Sequence, residues 1–96
     1  MELTRFRVSS DRTEQLLAAR PAMLRDFEAD RAGFIDARLV RLPDDEWLDI
    51  VFWRSAKDLA ASRAKGGNLP YIRVFLDLID ETVSSEEGTM HDVRLR

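Results

Sequence analysis

Three polar side chains in the second half of the chain are of types that could carry chemistry. His91 is the only histidine, and its imidazole titrates near neutral pH, so it is a candidate general base. Asn68 and Tyr71 follow the Gly66-Gly67 pair and are candidates to hydrogen-bond a developing oxygen anion and to orient a substrate. The alternatives are a partly exposed histidine, a helix cap for Asn68 and a half-buried core aromatic for Tyr71.

The residue types that hold metals and other cofactors are scarce. The chain contains no cysteine, which excludes disulfides, thiolate catalysis, iron–sulfur clusters and cysteine-ligated zinc. With one histidine, and no Asp/Glu/His group at ligand spacing, a catalytic metal is not expected either. The sequence therefore predicts a site without a cofactor, or no catalytic site.

Four phenylalanines are candidates to line a substrate pocket, because small-molecule pockets are mostly apolar and aromatic. They are Phe6, Phe27, Phe52 and Phe75. The alternative is that they fill the core of a small domain. Arg63 and Lys65, beside Gly66, could attract an anionic ligand, although a solvated helix end explains them without one.

Length and charge limit the broad class of protein. The 96 residues fit one domain, 1–96. A formal net charge of −3 lacks the basic surplus that nucleic-acid binding requires. The longest apolar runs have four residues, whereas a membrane span needs about 20, and the first residues do not form a signal-peptide core. We therefore expect a cytoplasmic protein that binds neither membranes nor nucleic acid.

The elements that must position these residues follow from hydrophobic periodicity. Alternation predicts strands over residues 2–8, 34–42, 47–54 and 89–95. An amphipathic pattern predicts a helix from the capping-box pair Asp11 and Glu14 to Gly33, whose position suits a left-handed residue just past the helix end. Ser55 is the predicted N-cap of a second helix and Asn68 of a third, and residues 84–88 are predicted to form a loop.

The order β-α-β-β-α-α-β indicates an α+β, ferredoxin-like sandwich, a four-stranded antiparallel sheet with its helices on one face. A four-residue turn at 43–46 makes the numbers of paired residues sum to 89. In this register the residues predicted to face the helices are Phe6, Val8, Ile35, Leu39, Leu48, Ile50 and Phe52. The opposite face then carries two tryptophans among charged residues, with Arg38 and Asp49 close enough for a salt bridge.

A sheet face that exposes two tryptophans predicts that another protein chain covers it. We expect a homodimer formed sheet against sheet, with Arg38, Trp47, Asp49, Val51 and Trp53 in its interface. The alternative is a monomer whose tryptophans fold over the sheet edge. RNA stacking on this face is a third possibility, but the chain lacks the RNA-module signature, and Asp36 and Asp49 would repel phosphates.

Short motifs add a family resemblance. The stretch Ala32-Gly33-Phe34-Ile35, the strand end Phe52-Trp53-Arg54-Ser55 and the following Leu59 resemble the antibiotic biosynthesis monooxygenase domain of the dimeric α/β-barrel superfamily. The resemblance runs over residues 2–95. It implies a homodimer, and a cofactor-independent monooxygenase acting on a small aromatic or polyketide-type substrate.

In that role Asn68 would donate to an enolate or peroxide oxygen, Tyr71 would orient a phenol and His91 would act as the base. The haem-degrading branch of the family is disfavoured, because residues 1–9 contain no asparagine and Ser62 stands where the family often places histidine. The alternative function is a non-catalytic, dimeric small-molecule-binding or accessory domain. Few polar residues are predicted on the helix-facing rows, which favours this alternative.

Overall fold

The computed structural model describes residues 1–92. Its elements are β1 (Glu2–Arg7), α1 (Thr13–Asp30), β2 (Phe34–Arg41), β3 (Glu46–Trp53), α2 (Ala56–Lys65), α3 (Pro70–Asp77) and β4 (Glu81–Glu87). The four strands form one antiparallel sheet in the order β2-β3-β1-β4. The α+β class and the predicted element order are confirmed. None of the helices within residues 1–92 is long and apolar enough to cross a membrane.

The core lies between one face of the sheet and helices α1 and α3, which pack against each other. Its buried side chains come from both layers: Phe6, Val8, Leu16, Met23, Trp47, Ile72 and Phe75. The β1 alternation predicted that Phe6 and Val8 share the helix side, and both are buried. The rings of Phe6 and Phe75 meet edge to face, with centroids 6.3 Å apart, and so join the sheet to α3.

The helix ends follow the predicted capping in part. Gly33 has φ of +80° just past α1, as its position predicted. The Ser55 hydroxyl accepts the Asp58 backbone N–H at 3.1 Å and caps α2. Asn68 does not cap α3, because Leu69 occupies the N-cap position without a side-chain bond. A short 3-10 turn, Ser10–Arg12, replaces the predicted capping box before α1.

The last strand lies earlier in the chain than predicted. β4 spans Glu81–Glu87, the segment predicted in part to be a loop, whereas Thr89–Asp92 has no regular structure. The strand is held by backbone bonds to β1, including Gly88 N–H to the Met1 carbonyl at 2.9 Å. It is an edge strand with polar residues on both faces, so it has no hydrophobic alternation to detect. The remainder of the predicted strand, residues 93–95, lies outside the described residues.

The register between β2 and β3 differs from the prediction by one residue. The numbers of the residues that pair across β2 and β3 sum to 88 over most of the ladder, as in Ala37 with Val51 and Leu39 with Asp49. The cause is the loop, because Leu42 N–H bonds the Glu46 carbonyl at 2.8 Å and encloses three residues instead of four. Asp44 and Asp45 both adopt positive φ there, 63° and 62°.

This shift exchanges the two faces of β3. Trp47, predicted at a dimer interface, is 3% exposed and belongs to the core. Asp49, Val51 and Trp53 also turn toward the helices, because they alternate with residues of the other face along the strand. The predicted Arg38–Asp49 salt bridge does not form: Asp49 pairs with Arg20, and Arg38 pairs with Asp36.

A register irregularity in β2, between Phe34 and Asp36, also reverses a prediction. Ile35, expected on the helix side, is 63% exposed. Phe34 turns inward instead and stacks on Phe27, with centroids 5.8 Å apart. A bulge adds one residue to a strand, so every side chain before it changes face.

Candidate active site

A cavity of about 310 Å³ lies between the helix side of the sheet and the helices. That volume is at the lower end of the range of small-molecule sites. Most of its wall is apolar: Phe6, Met23, Leu24, Phe27, Phe34, Ala37, Val51, Phe75, Leu76 and Ile79. Its polar lining is small: Glu2, Thr4, Arg20, Asp49, Arg63, Thr82 and Ser85. An apolar pocket with a few convergent polar groups is the usual form of a small-molecule site.

Three of the four predicted pocket aromatics line this cavity: Phe6, Phe27 and Phe75. Phe52 does not, because the β3 register places it on the other face of the sheet. It lines a separate concavity of about 440 Å³ together with Ile35, Leu59 and Met90. Trp53 also lines that second concavity, and its ring supports the wall of the first from behind, meeting Phe27 and Phe34 edge to face at 6.4 and 5.8 Å.

A buried ion pair forms the first polar part of the cavity. Arg20, from the middle of α1, donates from Nη1 and Nη2 to the two carboxylate oxygens of Asp49, both at 2.8 Å. Its guanidinium also lies 5.5 Å from the centre of the Phe75 ring. Two parallel bonds hold both side chains in fixed positions. Arg20 keeps three N–H donors beyond this pair, and each Asp49 oxygen keeps a second lone pair.

A row of polar side chains crosses the sheet beside that pair. Asp49 stands opposite Thr4, and Thr4 stands opposite Ser85. The two hydroxyl oxygens are 3.3 Å apart and hydrogen-bonded. Neighbouring strands lie roughly 4.8 Å apart, so this row extends about 10 Å along the floor of the cavity. These hydroxyls can both donate to and accept from a ligand.

A second ion-pair group stands at the α2 end of the cavity. Arg63 Nε lies 3.4 Å from Glu2 Oε2, and its Nη1 lies 3.1 Å from Glu87 Oε1. Arg63 also donates to the Ser85 hydroxyl at 3.2 Å. Glu2 in turn accepts from the Trp53 indole N–H at 3.3 Å. The two arginines of the lining are therefore each paired with carboxylates of this chain.

The three side chains predicted to do chemistry lie apart from this lining. Asn68 is exposed; its Oδ1 accepts from Arg31 at 2.7 Å and its Nδ2 donates to Asp30 at 3.0 Å. Tyr71 is exposed, and its backbone N–H bonds Asp26 at 3.0 Å. His91 is exposed in the irregular segment after β4. None of the three lines the cavity described here, so their catalytic assignment stays a prediction.

Asn68 belongs instead to a cluster around Arg31, whose side chain is 1% exposed. Arg31 donates from Nε to the Ser62 hydroxyl at 2.8 Å and from Nη2 to the Gly66 carbonyl at 2.5 Å. The position at which the resembled family often has histidine is thus occupied by a buried serine that binds an arginine. The hydrogen bond from Asn68 is the main cause of the lowered pKa of Asp30, and the hydrogen bond from Lys65 to Asp30 is the second cause.

The sequence reasoning missed the residues that carry the polar chemistry of the cavity. The sequence pattern gives Arg20 no role, since a lone arginine on an amphipathic helix usually points into solvent. Glu2 and Thr4 were placed on a strand but given no role, and Asp49 was assigned to the wrong face. One signal was available: Arg20 lies four residues after Leu16 and three before Met23, both core positions, so it shares the buried stripe of the helix.

Solved structures place this fold among known proteins. A proposed antibiotic biosynthesis monooxygenase from Chloroflexus aurantiacus J-10-fl is 16% identical, with a TM-score of 0.65 over 97% of this chain and 93% of that one. The Mycobacterium tuberculosis protein Rv0793 is 20% identical, with a TM-score of 0.67 over 97% and 96%. A second proposed antibiotic biosynthesis monooxygenase, from Bacteroides thetaiotaomicron VPI-5482, is 12% identical, with a TM-score of 0.68 over 99% and 91%.

The chain has the fold of these proteins. The resemblance drawn from the short motifs is thereby supported at the level of structure. No protein-family model and no curated protein sequence matches the chain. At 12 to 20% identity the likeness extends to the fold and not to an activity or a substrate.

Proposed function

We propose that this chain binds a small aromatic molecule in the cavity between its helices and its sheet. The observation that carries the proposal is the lining, in which aromatic walls enclose a short row of polar groups. Burial of a flat ring against Phe6, Phe27 and Phe75 favours binding, and one or two ligand oxygens can form hydrogen bonds with the polar side chains on the floor of the cavity. A ligand of about two fused rings suits a space of about 310 Å³.

Titration calorimetry with 2-naphthol tests this binding. We expect the unaltered protein to bind one molecule per chain, with Kd at or below roughly 100 µM. Ala37→Phe fills the cavity and should abolish binding, whereas Ala60→Phe, on the exposed side of α2, should not. A circular dichroism spectrum checks that both variants fold. Absence of binding to the unaltered protein refutes the proposal.

A second candidate function is cofactor-independent oxygenation of such a ligand. It is supported by the fold shared with proposed monooxygenases and by a carboxylate, Asp49, inside an apolar cavity. In this chemistry Asp49 accepts the acidic proton of a phenol or enol, and Arg20 stabilises the resulting oxygen anion. Dioxygen then gives one atom to the ring carbon. In an anthrone-type substrate the methylene becomes a carbonyl, its two hydrogens leave with the other oxygen as water, and the substrate supplies all four electrons.

Oxygen uptake with an anthrone separates this candidate from binding alone. We expect uptake by the unaltered protein, loss of at least 100-fold in Asp49→Asn through loss of the base, and no change in the exposed control Glu28→Gln. Loss of uptake in Asn68→Ala with His91→Ala would favour the residues chosen from the sequence instead. No uptake by the unaltered protein, with binding retained, leaves the non-catalytic binding or accessory domain as the function.

We further propose that the open face of the sheet packs on a second copy of this chain. The corrected register places Leu3, Val40, Leu48, Ile50 and Phe52 on that face. Three arginines of this face are already paired within the chain: Arg5 and Arg7 with Glu46, at 3.1 and 2.9 Å, and Arg38 with Asp36. Burial of these paired charges is tolerable because each keeps its counter-charge.

A further inference from the structure

The cavity contains two arginines, and each is neutralised by this chain's own carboxylates. Arg20 is bound through both terminal nitrogens by Asp49 at 2.8 Å. Arg63 lies 3.4 Å from Glu2 and 3.1 Å from Glu87. The side chains of the Arg20–Asp49 pair are only 10% and 14% exposed, so solvent screens this pair weakly. Among residues 1–92, the lining therefore offers a ligand no free positive charge.

An anionic ligand would be disfavoured in such a cavity. Its carboxylate would lose hydration, compete with Asp49 for Arg20 and be repelled by the carboxylates that remain. An uncharged hydroxyl loses much less hydration and regains its bonds on the Thr4 and Ser85 hydroxyls, or on the N–H groups that Arg20 does not use. Charge thus discriminates between two ligands of the same size and shape.

We propose that Asp49 and Glu2 are specificity-determining residues that make the cavity select uncharged hydroxyaromatic molecules over aromatic carboxylates. This inference rests on the proposed binding function. It goes beyond that function because it assigns the selection to carboxylates that need not contact the ligand's rings. Removal of the Asp49 charge, or of the Glu2 charge together with that of Glu87, converts the corresponding arginine into an anion site.

A matched ligand pair tests the selection in the unaltered protein. 2-Naphthol and 2-naphthoate share one ring system, and at pH 7 the first is neutral and the second ionised, since phenols titrate near 10 and carboxylic acids near 4. Calorimetry should show 2-naphthol binding at least about tenfold more tightly, a difference of about 1.4 kcal/mol. If neither ligand binds, the proposed function itself fails. If both bind equally, binding stands and the charge selection is overturned.

Removal of the carboxylates should reverse the preference. In Asp49→Asn we expect the ratio of the two dissociation constants to move at least tenfold toward 2-naphthoate. Glu28→Gln removes the same charge from the exposed face of α1 and should leave the ratio unchanged. An unchanged ratio in folded Asp49→Asn, or an equal shift in Glu28→Gln, overturns the inference, because a general charge effect would then explain the selection.

A second variant keeps the test decisive if Asp49→Asn does not fold without its ion pair. Glu2→Gln with Glu87→Gln frees Arg63 at the more exposed end of the cavity, and the amide oxygen introduced in the first strand can still accept from the Trp53 indole. Its control is Glu14→Gln with Glu28→Gln, two exposed positions on α1. We expect 2-naphthoate to bind at least about threefold more tightly than in the control. No gain over the control overturns the role of Glu2.

Discussion

Gly33 combines a backbone requirement with a packing requirement. Its φ is +80°, and a Cβ built on it would lie 2.2 Å from Asp58 Oδ2. Because Asp58 also accepts the Ser55 hydroxyl at the start of α2, it cannot move away without loosening that helix end. Gly33 therefore allows the end of α1 and the start of α2 to lie against each other.

Gly33→Ala should lower the free energy of unfolding by about 2–4 kcal/mol, the sum of left-handed strain and overpacking. Urea denaturation followed by circular dichroism measures this loss. Gly66→Ala is a control for the contact: nothing lies within 4 Å of the added Cβ, and its backbone, with φ 56° and ψ −139°, is strained for alanine, so it should lose only the strain, about 1–3 kcal/mol. Equal losses in the two variants would show that contact with Asp58 contributes nothing.

Asp30 gives the fold a pH-dependent contribution at the residue scale. Its hydrogen bonds to Asn68 and Lys65 lower its pKa below the ordinary value of 3.8. A group whose pKa is lower in the folded state stabilises that state above the unfolded pKa, and the contribution disappears as pH falls through the folded pKa. The stabilisation by Asp30 is therefore complete near neutral pH and is lost below about pH 3.8.

Asn68→Ala should raise the pKa of Asp30 toward 3.8, because the hydrogen bond from Asn68 is the largest cause of the lowered pKa. A carbon-detected NMR titration of the carboxylates measures this shift directly. The part of the stability difference that comes from Asp30 should be present at about pH 7 and disappear as pH falls through the lowered pKa of Asp30. Asp36 is the internal control, since its pKa is lowered mainly by the Ala37 backbone N–H and should not move. An unmoved Asp30 would contradict this assignment.

At the element scale, α2 depends on its N-cap. Ser55 accepts the Asp58 N–H, and Ser55→Ala leaves that donor without its side-chain acceptor. The expected loss is about 1 kcal/mol of unfolding free energy. Ser55→Thr keeps the acceptor and should lose less than half as much. Thermal unfolding of the three proteins measures the difference, and a loss in the threonine variant equal to that of alanine would indicate a cause other than the cap.

Element order could be predicted from this sequence, whereas the faces of the elements could be predicted only in part. The periodicity of β1 is local, so it predicts correctly that Phe6 and Val8 face the core. β4 has no apolar alternation, because an edge strand needs only its backbone to pair. The facing of β3 depends on the length of one loop, and side-chain pattern does not determine whether that loop has three residues or four.

The same dependence limited prediction of the candidate site. Phe6, Phe27 and Phe75 were found because aromatic residues at core spacing tend to meet in a small domain. Arg20 and Asp49 were missed as a pair because their bond joins α1 to β3, and it exists only in the register that the structure shows. His91 was chosen for its chemical type alone, which carries no information about position.

At the scale of the whole molecule, the proposed packing of the open sheet face on a second copy predicts the state of assembly. We expect sedimentation equilibrium at about 10 µM to give twice the monomer mass. Ile50→Glu puts a charge at the middle of the face and should weaken dimerisation at least about 100-fold, or roughly 2.7 kcal/mol. Val74→Glu, on the exposed side of α3, is the control and should stay dimeric. A monomeric unaltered protein would refute the proposed interface.

The three-residue loop before β3 has a consequence for how this sequence can change its length. Surface hairpin loops ordinarily tolerate insertions and deletions. If the three-residue turn is kept, one residue gained or lost would turn all of β3 over, bringing Leu48 and Ile50 inside and expelling Trp47 and Asp49. Changes of two residues would preserve the facing. We therefore expect viable length variants of this loop to differ by even numbers of residues.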